Sequence, residues 1–185
     1  MKHFIPREKN YRQLFCYQKA EAIYDITCYF CDKYLNYRDR TVDQMKQAAR
    51  SGKQNIVEGT AASITSKETE IKLINVAKAS LQELLIDYED YLRTHGLRIW
   101  EKGSVEQLKM CELGRVHNDS AYYMSLISTR PPETIANIAI CLIWQTDVLL
   151  FRLLKRLEES FLQDGGLREN MMKCRVEERK NRRGI

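Results

Sequence analysis

The stretch Gln44–Ser63, QMKQAARSGKQNIVEGTAAS, decides the reading of the whole chain. It holds two glycines, an asparagine and three separated basic residues, so it reads either as a phosphate-cradling loop or as a helix with a small-residue face. The loop reading needs Gly-x-x-x-x-Gly-Lys-Ser/Thr between a strand and a helix. Here Gly52-Lys53 is followed by Gln54, and no strand pattern precedes it. The helical reading places Val42, Met45, Ala49, Gly52, Ile56, Gly59 and Ser63 on one face, at steps of three and four. An interior glycine costs about 1 kcal/mol in helix propensity. Close approach of a neighbouring helix offsets that cost, so this is a packing face.

The pattern continues in both directions. A first long helix is expected over about 11–35. Its seam is Cys16, Ala20, Ile23, Thr27, Phe30, Tyr34 and Tyr37, with a second row of Phe15, Ala22, Ile26 and Tyr29 beside it. The second helix, about 41–63, opens on a Thr41/Gln44 capping-box pattern. The third, about 66–95, starts near Thr65 with Glu68 as reciprocal cap. Its seam is Ile74, Ala77, Leu81, Leu84, Tyr88 and Tyr91, and Gly96 ends it. The insertion 97–131 is weakly patterned. Ser104 and Gln107 predict a short helix over about 105–115, and NDSAYYMSLIS a second. After TRPPE a fourth long helix runs over about 132–163 to the stop at DGG. Its row Ile135, Ala139, Leu142, Thr146, Leu149 and Leu153 is widened by Ile138, Cys141, Val148 and Leu150.

The chain has 185 residues, 44% apolar and 30% charged, with eight Gly and three Pro. That length carries one domain with a proper core, and so few turn residues argue against a β fold. The expectation is an all-α protein: an antiparallel up-down-up-down four-helix bundle over 1–166, with short helices between its third and fourth long helices. A basic tail, 167–185, follows. Net charge is +5, and seven Lys/Arg against three Glu between Arg168 and Arg183 leave the rest of the chain nearly neutral.

MKHFIPREK has no apolar run after its charge, and IANIAICLIWQTDVLLF carries Asn137, Gln145, Thr146 and Asp147. A cytoplasmic protein without a membrane span is expected. Six scattered Cys fit a reducing compartment. Cys28-x-x-Cys31 has no second half, so no metal is expected, and the thiols read as small buried apolar groups.

Recognition adds to this reading. Gln44, Ala48, Ala49, Ser51, Asn55, Ile56, Glu58 and Gly59 resemble the signature of the four-helix-bundle proteins of 23S rRNA intervening sequences. KASLQELLIDYEDYL looks like that family's third helix. RPPETIANIAICLIWQTDVLLFRLLKRLEESFLQDGGLRE resembles its four-helix-bundle suffix subgroup. Gly52, Lys53, Val57 and Trp144 depart from the usual pattern. The resemblance spans about 11–169 and implies antiparallel bundles assembled in rings of five, without an established enzymatic activity. A relative is the accessory variability determinant of diversity-generating retroelements, a basic ring that binds nucleic acid and a reverse transcriptase.

Three functions are weighed against the residues. The first is binding of RNA or DNA, or of a nucleic-acid-processing protein, through basic residues. These are Arg38, Arg40, Lys46, Arg50 and Lys53 around the second helix, and Arg152, Lys155 and Arg156 late in the fourth. Arg175, Arg179, Lys180, Arg182 and Arg183 in the tail complete the set. Solvated helix faces with no ligand are the bland counterpart. Ala49, Gly52, Asn55, Ile56, Glu58 and Gly59 are the signature and packing residues. The second function is a structural or protein-interaction homo-oligomer, because the first and fourth helices carry more apolar surface than one core needs. Residues 97–128 folding back over that surface would remove the argument. The third, an enzyme, is not expected. His3, His95 and His117 form no motif, and Glu83, Asp87 and Asp90 read as a solvated acidic face. Glu58 is the one carboxylate to watch, with an ion pair or a helix-end hydrogen bond as its bland counterpart. Tyr interleaved with Arg can stack bases, but Tyr24, Tyr34, Tyr88 and Tyr91 read as packing residues. No cofactor is expected.

Overall fold

The structure, a computed structural model, describes residues 10–165 and 167–182. After a single 3-10 turn at Tyr11–Gln13 come α1 (Phe15–Tyr34), α2 (Arg40–Ala62), α3 (Lys67–Thr94), α4 (Val105–Val116), α5 (Ser120–Ile127), α6 (Pro132–Asp164) and α7 (Leu167–Arg182). The protein is all-α, with no strand among the described residues.

The long helices contact one another in a closed cycle: α1 on α2, α2 on α3, α3 on α6, and α6 on α1. The glycine face explains the tightest of these contacts. A Cβ on Gly52 would lie 2.7 Å from Leu81 Cδ2, and one on Gly59 would lie 3.3 Å from the Glu70 carbonyl oxygen. Only bare backbone lets α3 approach this closely. Polar signature residues finish the seam. Asn55 Nδ2 donates to the Ser51 carbonyl at 2.9 Å, and Ser51 Oγ meets Ser80 Oγ at 2.9 Å.

Between α1 and α2, Lys46 pairs with Asp32 at 2.5 Å and Lys53 lies over the Tyr24 ring at 4.2 Å. Between α3 and α6, Lys78 pairs with Asp147 at 2.5 Å and Lys67 donates to Ser160 Oγ at 2.8 Å. Across the middle, Tyr88 donates to Thr27 Oγ1 at 3.0 Å and packs edge-on against Phe30.

α6 is central. Nine consecutive residues, Ile135–Ile143, are buried all round. A helix apolar on every side needs partners on every side, and here they are α1, α3 and α4. Asn137, the polar member of that run, is satisfied. Its Oδ1 accepts from Trp100 N at 2.7 Å, and its Nδ2 donates to the Arg98 and Glu133 carbonyls, both at 2.8 Å. By length and composition α6 could cross a membrane, with a mean hydropathy of 1.6, but 61% of that apolar window is buried in this fold.

The insertion does fold back. α4 lies on α6 and α5 on α1. This removes much of the surplus apolar surface that argued for a partner chain. Phe15, Trp144, Val148 and Phe151 still stay about half exposed.

Local details depart from the sequence reading. Leu14 is extended, so α1 opens at Phe15 and not at Tyr11. Asp39 caps α2 by accepting from Thr41 N, one of the first unsatisfied N–H groups of that helix, so Thr41 is not the cap. Ser66 caps α3 by accepting from Thr69 N, and Glu68 binds Lys72 instead of reaching back. Ser104 caps α4 by accepting from Gln107 N, but the reciprocal half of the box is shifted, since Gln107 Oε1 accepts from Gly103 N. Tyr37 lies beyond the end of α1 and is 80% exposed, so it leaves the seam. Leu149 and Leu153 are half-buried, while Leu150, Leu154 and Leu157 carry the core there. Gly96 has φ 65°, and Leu97 N reaches the Leu92 carbonyl at 2.9 Å, the bond that closes a Schellman stop.

Candidate functional site

The basic residues read from the sequence fall into separate places. On α2, Arg40 and Arg50 are exposed. Arg38, just before that helix, is exposed with its Nε donating to Tyr37 Oη at 2.9 Å. Lys46 is committed to Asp32, and that bond raises its pKa. Lys53 is half-buried over Tyr24. Tyr24 is therefore a shelf for a cation as well as a packing residue, a role that spacing did not reveal. Tyr34 and Tyr91 are half-buried around Phe30, and Tyr88 is fully buried.

Arg152, Lys155 and Arg156 are exposed on the last turns of α6. Their level is set by Lys67, which holds Ser160 at the start of α3. Arg38 and Arg40 sit at the other end of α2, roughly 30 Å away along the helix axes at 1.5 Å per residue. α2 and α6 are also opposite members of the cycle and do not pack together, so one chain presents two basic regions and not one. α7 adds exposed Arg175 and Arg179. Of Lys180 and Arg182 only the helical backbone is described, and Arg183 and His3 lie outside the described residues.

What joins these cations is the lack of carboxylate partners. Among the described residues, the ion pairs include those of Lys46, Lys72, Lys78, Arg93 and Arg98. Among the described residues, Arg38, Arg40, Arg50, Arg152, Lys155, Arg156, Arg175 and Arg179 have no carboxylate within 4 Å.

The signature residues are mostly structural. Ala49, Gly52, Ile56 and Gly59 are buried, and Asn55 holds Ser51. Glu58 is exposed and makes no ion pair or hydrogen bond among the described residues, so its bland counterpart is not what the structure describes. The acidic residues of α3 are not simply solvated either. Asp87 is half-buried and its Oδ2 has no donor. Desolvation, then Glu83 and Asp90, push its pKa up to about 6.

Among the described residues no three His, Cys, Asp or Glu gather as metal ligands. Cys16, Cys31 and Cys141 are buried, and burial raises their pKa values to about 11, 12 and 12. Cys28, Cys111 and Cys174 are half-buried, so only part of the thiol expectation holds. His95 is a helix-end residue, with Nδ1 2.8 Å from the Tyr91 carbonyl. His117 stacks on Tyr122 at 3.6 Å.

A further polar centre was invisible to spacing. Lys19 is 3% exposed, and its ammonium donates to the Gly114 carbonyl at 2.5 Å and the His117 carbonyl at 3.4 Å. Desolvation lowers its pKa to about 8. Beside it, Gln145 Nε2 donates to the Cys111 carbonyl at 3.0 Å, while Gln145 Oε1 is buried without a donor.

No family model matches the chain, and neither does any curated protein or any solved structure.

Proposed function

We propose that this is a non-enzymatic, cytoplasmic homo-oligomer. It would bind RNA or DNA, or a nucleic-acid-processing partner, through its unpaired surface cations. The observation that carries the reading is that Arg40, Arg50, Arg152, Lys155 and Arg156 stand exposed with no carboxylate partner among the described residues. Cations of this kind contact phosphates by charge, without reading sequence.

The proposed architecture is an antiparallel up-down-up-down four-helix bundle in one unit to residue 166, with a basic tail after it. The order of the partners supports it. Lys46 with Asp32 and Lys53 with Tyr24 advance along α2 while retreating along α1. Lys67 with Ser160 and Lys78 with Asp147 do the same on α3 and α6. The resemblance to the intervening-sequence family supports the same bundle and gives five as the subunit number.

Oligomerisation answers the separation of the two basic regions. In a ring, α2 of one subunit and α6 of the next could share one polymer, and many weak contacts would add as avidity.

The test is light scattering on a size-exclusion peak, with labelled RNA and DNA titrated into that peak. An oligomer is expected, with comparable affinity for unrelated sequences. If three phosphates are neutralised, affinity falls about 40-fold between about 50 and 200 mM salt. Arg50→Glu, and Arg152→Glu with Arg156→Glu, each weaken binding and flatten the salt slope. A monomer, or binding that ignores salt, sinks the reading. An oligomer that binds neither polymer returns it to a protein-interaction scaffold.

A further inference from the structure

The corner where α1, α4 and α6 meet holds an open cavity of about 400 Å³. Ligand pockets are typically about 300–1,000 Å³, mostly apolar, with a few polar groups that fix orientation. This one has both parts.

Its charge is one-sided. Lys19, Arg115 and Arg152 line it, and no Asp or Glu does. Lys19 is the telling member. A buried ammonium is costly unless it is paired, and here it has only two main-chain carbonyls. An ammonium has three N–H donors, so one is left over. Capping the end of α4 accounts for two of its bonds. An exposed lysine snorkelling to the same carbonyls would serve that purpose without burying the charge.

Gln145 gives an independent sign. Its buried Oε1 has no donor. It packs so closely on Gly114 that a Cβ there would lie 2.0 Å from it. A buried acceptor without a partner costs about 1–3 kcal/mol, and the residue that carries this one is part of the cavity lining. The rim supplies the apolar part. Phe15, Trp144 and Val148 line it and are 59%, 52% and 47% exposed.

We propose that this cavity binds a small monocarboxylate with a flat apolar body and one N–H or O–H donor. The carboxylate accepts from Lys19, with Arg115 and Arg152 adding charge at the mouth. The apolar body lies against Trp144, Phe15 and Val148. The donor satisfies Gln145 Oε1. Charge and shape select the ligand together: a neutral analogue leaves Lys19 uncompensated, and a cation is repelled by three positive groups. The site shares only Arg152 with the α6 basic region; Lys19, Trp144 and Gln145 belong to neither basic region, so variants at those three separate this site from nucleic-acid binding.

The experiment is calorimetric titration of the full chain at neutral pH with three probes of one shape: indole-3-acetate, indole-3-ethanol and tryptamine. Indole-3-acetate is expected to bind. The neutral alcohol binds about ten-fold more weakly, as the loss of one charge-assisted hydrogen bond predicts, and the amine gives no signal. In NMR spectra the Trp144 indole N–H shifts and that of Trp100 does not. Lys19→Met abolishes the preference for the acid. If that variant fails to fold, the exposed Trp144→Ala replaces it and weakens indole-3-acetate about ten-fold while the fold persists. Lys102→Gln, at an exposed residue outside the cavity lining and both basic regions, changes nothing. Three outcomes overturn the proposal: no heat from indole-3-acetate up to about 10 mM, equal affinity for acid and alcohol, or shifts at Trp100 in place of Trp144.

Discussion

The seam between α2 and α3 and the corner of α1, α4 and α6 are both buried, but they are finished differently. In the seam, Gly52 and Gly59 meet carbon and backbone at contact distance, and Ser51, Asn55 and Ser80 bond to one another. In the corner, an ammonium rests on two carbonyls, an amide oxygen has no donor, and the cavity stays open. A close-packed interior tolerates few such lapses, because each unsatisfied group costs free energy. The seam is built for stability alone. The corner keeps free hydrogen-bonding capacity on residues that line a space of ligand size.

The largest test of this contrast is Gly52→Ala. The new Cβ drives into Leu81 Cγ and Cδ2 at 2.8 and 2.7 Å, and Leu81 is itself 1% exposed. Overpacking costs about 1–3 kcal/mol, and alanine returns about 1 kcal/mol of helix propensity. The net effect is a loss of up to about 2 kcal/mol, read in urea unfolding. A gain in stability would mean that the seam is loose and the contrast false.

Next is Lys19→Met in the corner. Removing a poorly paired buried charge while keeping its volume is often neutral or favourable. Stability at pH 7 is therefore expected to hold or to rise by about 1 kcal/mol. A loss of about 3 kcal/mol would show the ammonium fully compensated, and the corner as well finished as the seam.

The same residue gives a pH signature. Its folded pKa is near 8, against 10.5 for the ordinary group. Between those values the unfolded chain holds a proton that the folded chain has released, so stability contributed by this site rises with pH across that window. Below about pH 8 both states are charged and the penalty is complete. Wild-type protein should gain on Lys19→Met from pH 8 to 10.5, measured as the difference between their unfolding midpoints. Parallel midpoints would place the charge in water.

The smallest effect is expected at Gly59→Ala. Its neighbours begin at 3.3 Å, so they need give only slightly, and helix propensity offsets that cost. A change within about 0.5 kcal/mol is expected. A loss as large as that at Gly52 would make the whole seam equally tight and remove the gradient along it.

The seam was legible in the sequence, and the corner was not. Ala49, Gly52, Ile56 and Gly59 recur at helical spacing, so their shared face follows from the period alone. Stops were legible for a similar reason, since Gly96 and Gly165 take positive φ where the spacing ends. Starts slipped by a residue or two, because Asp39 and Thr41, or Thr65 and Ser66, all offer a capping oxygen and only geometry selects one. Tyr37 was misplaced because a period does not say where a helix stops.

Lys19 reads as a surface lysine in any local window. It is buried because α4 ends against it, with Gly114 lying 95 residues along the chain. Gln145 looked like a polar residue on a core helix, and its missing donor appears only once α4 is in place. The separation of Arg38 and Arg40 from Arg156 likewise depends on how the helices pack. The sequence by itself determined the helices, their apolar faces and the glycine contact, because these follow from rules acting over a few residues. The tertiary structure alone decided which charges are buried, which are paired and which face a cavity, because those depend on distant segments that share one desolvated space.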